Sequence, residues 1–576
     1  MRFSVWAPRA RHGVEVEIAG ERRALHRGPD DEWFLEVPEA GPGTNYAFVL
    51  DGGRPLPDPR SQHQPAGVHG PSQVVDLAGF PWSDGAWKGF HLPGSVLYEL
   101  HVGTFSPEGT FDGAIARLDH LVDLGVDAVE LMPVVEFPGT RGWGYDGVDL
   151  FAPHHAYGGP GGLQRLVDAC HARGLGVIVD VVYNHLGPSG NYLGEYGPYF
   201  SSRHSTNWGD GVNLDGPDSD HVRRFFLDNA RMWLRDYHAD GLRLDAVHAL
   251  VDDSALHFLE ELSSEVRELS AQLGRRLWLM PESDLSDPRF VRPAASGGYG
   301  LDAAWADEWH HALHAALTGE RDGYYRDFGS LAHLAKALRQ AWVYDGVYSP
   351  HRRRRHGRPP VGLSGHQFVV CTQNHDQVGN RARGERTSQL LSVERLEIAA
   401  ALLLTSPFVP LLFQGEEWGA RTPFLYFTDH EDPALARAVS EGRRNEFRAF
   451  GWDPEAVPDP QDPETFRSSR LDWTELEREP HQRLLRWYRA LLGLRRARPE
   501  LRGGRIEDVH VTHDEAERWL VVLRGAVGVA VNLAARRRAI PLARQPEELL
   551  LGNGAPVFGP GTVELDADGV AVFSVA

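Results

Sequence analysis

The sequence is poor in cysteine, methionine and lysine: of 576 residues, two are Cys and four are Met, and lysine occurs only at Lys88 and Lys336. Cys170 and Cys371 stand alone in apolar runs, which excludes a cysteine-based metal cluster or a disulfide framework and predicts two buried free thiols. No stretch approaches the ~18 consecutive apolar residues of a membrane span. The start, Met1 to Pro8, has no apolar core of a secretion signal, so a cytoplasmic protein is expected. Basic residues are also in deficit, 59 Lys+Arg against 80 Asp+Glu, for a formal charge of −21. Such a surface repels phosphate backbones and argues against a nucleic-acid partner. The one basic run, Arg352 to Arg355, has no adjacent basic or aromatic pattern and predicts a solvated loop.

What is present is ordinary globular material, 42% hydrophobic and 24% charged, in a chain long enough for several domains. From Met1 to about Lys88, short runs such as Phe3–Trp6, Val14–Ile18, Trp33–Val37 and Tyr46–Leu50 alternate at period two between Gly and Pro punctuation, which predicts a β-sandwich. From about Val96 the rhythm becomes strand, loop, amphipathic helix. Eight strands are expected: Val96–Phe105, Ala128–Met132, Val177–Tyr183, Leu242–Ala246, Leu277–Met280, Leu301–Ala304, Phe368–Cys371 and Val409–Phe413. Helices fall between most of them, such as Gly162–Arg173 and His221–His238, the latter with Ser219-Asp220 as capping residues. The pattern predicts an α/β fold, a (β/α)8 TIM barrel, with a doubly wound sheet as the alternative reading. The expected division is an amino-terminal β-sandwich over 1–90, a barrel over 91–500 with an insertion at about 186–213 after the third strand, and a carboxy-terminal β-sandwich over 501–576 that includes Trp519–Arg524, Val527–Asn532 and Val570–Val575.

Acidic residues and histidines gather at the expected strand ends: Asp180 to His185 on the third, Gly241 to His248 on the fourth, Pro281-Glu282-Ser283-Asp284 on the fifth, and Asn374-His375-Asp376 on the seventh. In a barrel these ends share one face, where catalytic groups collect. Two carboxylates flanking a sugar are the minimum for glycoside hydrolysis, one as proton donor and one as nucleophile or base. Arg243 lies two residues before Asp245, on the same side of a strand, where its guanidinium can keep that carboxylate ionised.

At these four segments the sequence resembles glycoside hydrolase family 13, the α-amylase family. The resemblance implies a retaining mechanism on α-glucosidic bonds, with Asp245 as nucleophile, Glu282 as general acid/base and Asp376 as the carboxylate that holds ring hydroxyls. It further implies that His185 and His375 donate hydrogen bonds to the sugar at the cleaved bond, that Tyr145 in Trp143-Gly144-Tyr145-Asp146 stacks under that sugar, and that His248 contacts the leaving-group side. The mechanism it implies requires neither a metal nor an organic cofactor; the family sometimes binds calcium after the third strand, and Asn184, which matches one of the usual ligands, is by itself too little to make such a site.

Four further segments, Val68 to Val75, Glu282 to Arg289, the arginine loop before Arg358-Pro359-Pro360, and Tyr426 to Asp432, resemble the trehalose-releasing branch of that family, and so does the three-part layout. The branch hydrolyses the α-1,4 bond next to the terminal trehalose of malto-oligosyltrehalose, leaving a maltodextrin. A malto-oligosyltrehalose synthase would be the pathway partner that supplies the substrate. To prefer this bond the leaving-group side must present polar groups that plain maltose leaves unpaired. The candidates for that wall are Glu308 foremost, with Trp305 and Trp309. The nearest alternative is a 1,4-α-glucan branching enzyme, which shares Tyr98 to Phe105, followed by an isoamylase-like debranching enzyme. A non-catalytic glucan-binding relative would be expected to lack one of the three carboxylates, and all three are present.

Overall fold

The computed structural model describes residues 1–206, 209–449 and 457–575, excluding the side chains of 447–449. Its centre is a sheet of eight parallel strands: β1 (Leu97–Leu100), β2 (Ala128–Leu131), β3 (Gly176–Val181), β4 (Gly241–Leu244), β5 (Trp278–Pro281), β6 (Ala304–Trp305), β7 (Phe368–Cys371) and β8 (Val409–Phe413). The hydrogen-bonded order β5-β4-β3-β2-β1-β8-β7-β6 leaves one seam, between β5 and β6. Asp302 closes it: its backbone N–H donates to Leu279 O at 2.8 Å, and its carboxylate accepts from Leu279 N at 2.7 Å. The doubly wound alternative is thereby set aside. Because helices cover the outside and side chains fill the inside, β3 is buried at every residue, and this is why the strands read as continuous apolar runs.

All eight strands overlap the expected segments; β7 and β8 have the expected bounds, the others differ at one or both ends, and two of these differences have a clear structural cause. β1 stops at Leu100, and Val102–Phe105 turns into a short helix rather than prolonging the strand. Ladder pairing of β6 begins only at Ala304, because Asp302 spends its hydrogen bonds on the seam. The helix after β3 opens at Ser219 and runs to Arg235; the residue before it, Asp218, makes no side-chain cap. The expected Ser219-Asp220 cap therefore lies inside the first turn, where acidic Asp220 still offsets the helix dipole.

At the amino terminus a three-stranded sheet (Arg2–Trp6, Glu32–Glu36, His26–Arg27) faces a second sheet built on Val14–Ile18 and Asn45–Leu50. Alternate residues Phe3 and Val5 enter the shared core with Val14, Val16, Trp33 and Phe48. The carboxy-terminal strands Trp519–Arg524, Val527–Asn532 and Val570–Val575 have the expected bounds and join Val509–Asp514 and Pro546–Gly552 in one antiparallel sheet. A three-stranded sheet packs on it through Ile540, Val563 and Leu565 against Val521, Ala571 and Phe573.

The insertion after β3, of which residues 207 and 208 lie outside the described part, forms a helical turn at Leu193–Tyr196 and a strand pair, Phe200–Thr206 with Gly209–Val212. It is pinned to the amino-terminal sheets. Tyr196 donates its hydroxyl to Pro57 O at 2.8 Å, Arg9 N donates to Tyr196 O at 3.1 Å, and Trp6 meets Tyr199 edge-on at 5.4 Å. Cys170 and Cys371 are both free and buried. Among the described residues no helix is long and apolar enough to cross a membrane.

Candidate active site

The carboxyl ends of β3, β4, β5 and β7 converge, and Arg243 is the hub. It is the third residue of β4, fully buried, with its side chain directed into the barrel mouth. Its Nη1 donates to Asp180 Oδ2 and to Asp245 Oδ1, both at 2.8 Å, and its Nη2 lies 3.6 Å from Glu282 Oε2. The Trp305 ring covers the other side of the guanidinium, 4.5 Å from ring centre to carbon. One fixed positive charge thus stands among three carboxyl groups, two of which can be ionised beside it at modest cost.

The third behaves accordingly. Burial raises the Glu282 carboxyl to about 8, Arg243 opposes the rise, and the negative charges of Asp245, Asp307 and Asp376 add to it. At neutral pH Glu282 therefore holds a proton. Its Oε2 accepts from Ala246 N at 2.6 Å, leaving Oε1 to carry that proton. The bond is possible because Ala246 turns sharply after Asp245 in the left-handed region, φ 39°, a conformation that costs an L-residue about 1–2 kcal/mol. Asp245 is held on both oxygens: Oδ1 by Arg243 and Oδ2 by Asn184 Nδ2 at 2.8 Å.

Across the mouth, Tyr145 donates its hydroxyl to Asp180 Oδ2 at 2.7 Å, and its ring stacks on His375 at 5.2 Å. Asp180 is raised by burial to about 6, with Arg243 opposing. His375 Nε2 is 2.8 Å from the Tyr145 hydroxyl and 3.6 Å from Asp376 Oδ2. Asp376 is the most open of the three expected catalytic carboxylates, 43% exposed, and accepts from Asn380 Nδ2 at 3.1 Å. His185 places Nδ1 against Asn184 Oδ1 and Nε2 against Tyr145 O at 3.0 Å, and burial lowers its pKa. His248 lies exposed at the rim, where Asp284 N donates to its Nδ1 at 3.4 Å.

A cavity of about 470 Å³ opens beside Glu282 and Asp376, within the roughly 300–1,000 Å³ typical of small-ligand sites. Asp284, Asp307, His311, Tyr324 and Arg352 are among its lining residues. Glu308 is not. It is buried, with Oε1 accepting from the Ser286 hydroxyl and Oε2 from Val343 N and Tyr344 N, each at 2.5 Å. The reason is helical geometry: Asp307 and Glu308 open the helix Asp307–Thr318, and consecutive residues point about 100° apart, so only Asp307 faces the cavity. Trp309 is fully buried beneath it, and Trp305 is occupied by Arg243.

Arg352 also departs from expectation. The expected loop is in part a hairpin strand, Arg354–Gly357 paired with Asp345–Ser349, and while Arg353 to Arg355 are exposed, Arg352 turns inward, forks onto the Asp284 carboxylate with Nη1 at 2.7 Å from Oδ2, and lines the cavity. Sequence reasoning also missed Glu99, which is buried under His375 and is the only charged residue in the otherwise apolar β1. A carboxylate inside such a strand is the signal that marked it.

An eight-stranded barrel with carboxyl groups gathered around one guanidinium defines a glycosidase-type centre. Residues 76–208 match the alpha amylase catalytic domain, and residues 504–572 match a domain of unknown function, DUF3459. The chain is thus a glycoside hydrolase of the α-amylase family. It is 52% identical over 581 residues to the malto-oligosyltrehalose trehalohydrolase of Rhizobium sp. (strain M-11), covering 99% of this chain and 97% of the relative. It is 44% identical over 579 residues to that of Deinococcus radiodurans, covering 97% and 94%. A crystal structure of a candidate alpha amylase from Salmonella typhimurium superposes with a TM-score of 0.92 at 39% identity, covering 100% of this chain and 97% of the other. A pullulanase from Anoxybacillus sp. LM18-11 in complex with maltotetraose, TM-score 0.73 at 18% identity over 100% and 86% of the two chains, shares the fold. The chain belongs to the malto-oligosyltrehalose trehalohydrolase family.

Proposed function

We propose that this chain hydrolyses the α-1,4-glucosidic bond next to the terminal trehalose of malto-oligosyltrehalose, releasing trehalose and a maltodextrin with retention of configuration. The observation that carries the mechanism is the pairing of a doubly held Asp245 carboxylate with a Glu282 carboxyl that keeps its proton at neutral pH. Asp245 attacks the anomeric carbon as Glu282 gives its proton to the departing glycosidic oxygen, so trehalose leaves neutral and a glycosyl ester forms. Esterification removes the Asp245 charge, one of the causes that raise Glu282, so the Glu282 carboxylate then becomes the base that takes a proton from the attacking water. Arg243, freed of one partner, remains paired to Asp180. Asp376, His375 and Tyr145 surround the sugar being cleaved, His185 and His248 its edges.

Trehalose would occupy the cavity beside Glu282. The Asp307 carboxyl has no hydrogen bond or ion pair among the described residues, burial and the Asp376 charge raise it to about 7, and it offers an acceptor to sugar hydroxyls. The Arg352 and Asp284 pair offers further polar groups, and the stacked rings of His311 and Tyr324, 4.4 Å apart, give an apolar wall. Glu308 serves this wall indirectly by tying the segment at Val343-Tyr344 to the helix that carries Asp307. We take the domain limits near residues 90 and 500, a cytoplasmic setting consistent with two free thiols, and supply of substrate by a malto-oligosyltrehalose synthase as part of the same reading.

The test is to incubate the protein with malto-oligosyltrehalose and, separately, with plain maltodextrin of equal length, and to quantify products. Preferential release of trehalose, with the new reducing end of the maltodextrin appearing first as the α-anomer by NMR, is expected. Equal cleavage of both substrates, or new α-1,6 linkages, would refute the proposal.

A further inference from the structure

Glu99 is buried in the barrel below the site, and it grips His375 at two points: Oε2 accepts the backbone N–H at 3.0 Å, and Oε1 lies 2.5 Å from ring Nδ1. Against an ionised Glu99 carboxylate, which only accepts, Nδ1 carries a hydrogen. The other ring nitrogen can be assigned by counting protons. Tyr145 has one phenolic hydrogen and two partners, Asp180 Oδ2 at 2.7 Å and His375 Nε2 at 2.8 Å. Asp180 Oδ2 already receives Arg243 Nη1 at 2.8 Å and acts as an acceptor, so the 2.7 Å contact requires the phenolic hydrogen. The contact with His375 is then a hydrogen bond only if Nε2 donates to the phenolic oxygen. Both ring nitrogens carry hydrogens.

We propose that Glu99 is a positioning residue that keeps His375 an imidazolium, so that Nε2–H is a permanent charged donor at the mouth of the site. The inference rests on the proposed function only in so far as His375 faces the substrate; the charge state is a property of the unliganded protein. The surroundings agree. Burial alone would lower His375, but the Glu99 and Asp376 charges bring it up to about 9. Glu130 from β2, Asp180 from β3 and Asp307 after β6 also face it. Of the neighbouring cationic or imidazole groups, Arg243 opposes the charge, and His101 stays neutral because burial lowers it to about 4. Glu130 is held neutral: burial, then Glu99 and Asp180, push it well above the usual carboxyl range, so Glu99 is left as the counter-ion.

Hydrogen bonds to ionised groups are about twice as strong as neutral ones, so the imidazolium holds the Tyr145 hydroxyl, and with it the stacked ring at the mouth of the site, more firmly than a neutral histidine would. Glu99→Gln keeps an acceptor of the same shape and removes the charge. The direct measurement is long-range ¹H–¹⁵N correlation on the full chain labelled in its histidine rings, with the His375 signals identified by their loss in His375→Gln. In the unmodified protein at pH 7.5, His375 is expected to show two protonated nitrogens; a neutral ring would overturn the proposal without any variant. In Glu99→Gln the same ring is expected to titrate near or below the ordinary ~6.5 of histidine, and an unshifted titration would also overturn it. Kinetically, Glu99→Gln should lower kcat/KM roughly 10- to 100-fold, as for loss of a charged hydrogen bond that orients the site. If the protein cleaves no glucan at all, the functional reading fails while the NMR result still decides the role of Glu99.

Discussion

Replacing Glu282 by Gln should make the protein more stable, and increasingly so as pH rises. In the unfolded chain a glutamate ionises near 4.5; in the folded site burial, with the Asp245 charge, raises Glu282 to about 8. Between these values the folded state holds one proton more than the unfolded state, so stability falls as pH increases, and the loss is complete once pH passes the folded value. Gln has no proton to lose and escapes this term. From pH 6 to pH 9 the remaining gap is about 2 units, an upper limit near 3 kcal/mol at about 1.4 kcal/mol per unit. Because Asp245, Asp307 and Asp376 share the field, an increase of about 1 to 3 kcal/mol in the variant's advantage over that range is expected. Thermal unfolding of both proteins at pH 6, 7, 8 and 9 reads it directly, since any pH-independent effect of the amide cancels between pH values. A chain of this size should show an increase of a few degrees in the Tm difference at most. Parallel Tm curves would refute the reasoning, because they would mean that Glu282 ionises alike in both states. An activity assay on the same two proteins should show the functional counterpart, a stable variant without turnover, as expected where a site stores unfavourable electrostatics for catalysis.

Two further outcomes separate neighbours in sequence. Asp307→Asn should raise KM for the trehalose-ended substrate roughly tenfold, the effect of weakening one buried polar contact, with a smaller change for plain maltodextrin; equal KM values for the variant and the parent would remove Asp307 from the wall. Glu308→Gln should leave that KM nearly unchanged but lower thermal stability by about 1–3 kcal/mol, because its amide end becomes a donor facing either the two backbone N–H groups on one oxygen or the Ser286 hydroxyl on the other, in a buried place; an unchanged Tm with a raised KM would return Glu308 to the substrate.

The order of elements and the identity of the chemistry were legible because both are local. A strand buried on both faces is apolar at most positions, which is why β3 and β7 could be read as runs, and a period of two marked Phe3 and Val5 as inward-facing. The acidic ends of those runs shared a face as soon as the strands were parallel, and the i, i+2 spacing placed Arg243 beside Asp245. The three carboxylates, Arg243 and His375 therefore followed from position along the chain, whereas Tyr145, and the roles of all but Arg243, came from the family resemblance.

Tertiary structure alone decided which way neighbouring side chains face and how protons are shared. Asp307 and Glu308 are chemically interchangeable in the text of the sequence, and only the helix phase at the barrel rim sends one into the cavity and the other to Val343 and Tyr344. Arg352 reads as one of four surface arginines until Asp284, 68 residues away, pulls it inward. The proton on Glu282 and the charge of His375 depend on burial and on carboxylates brought from five strands or the turns after them. Electrostatic energy varies with distance and with exclusion of water, and neither quantity exists until the barrel closes.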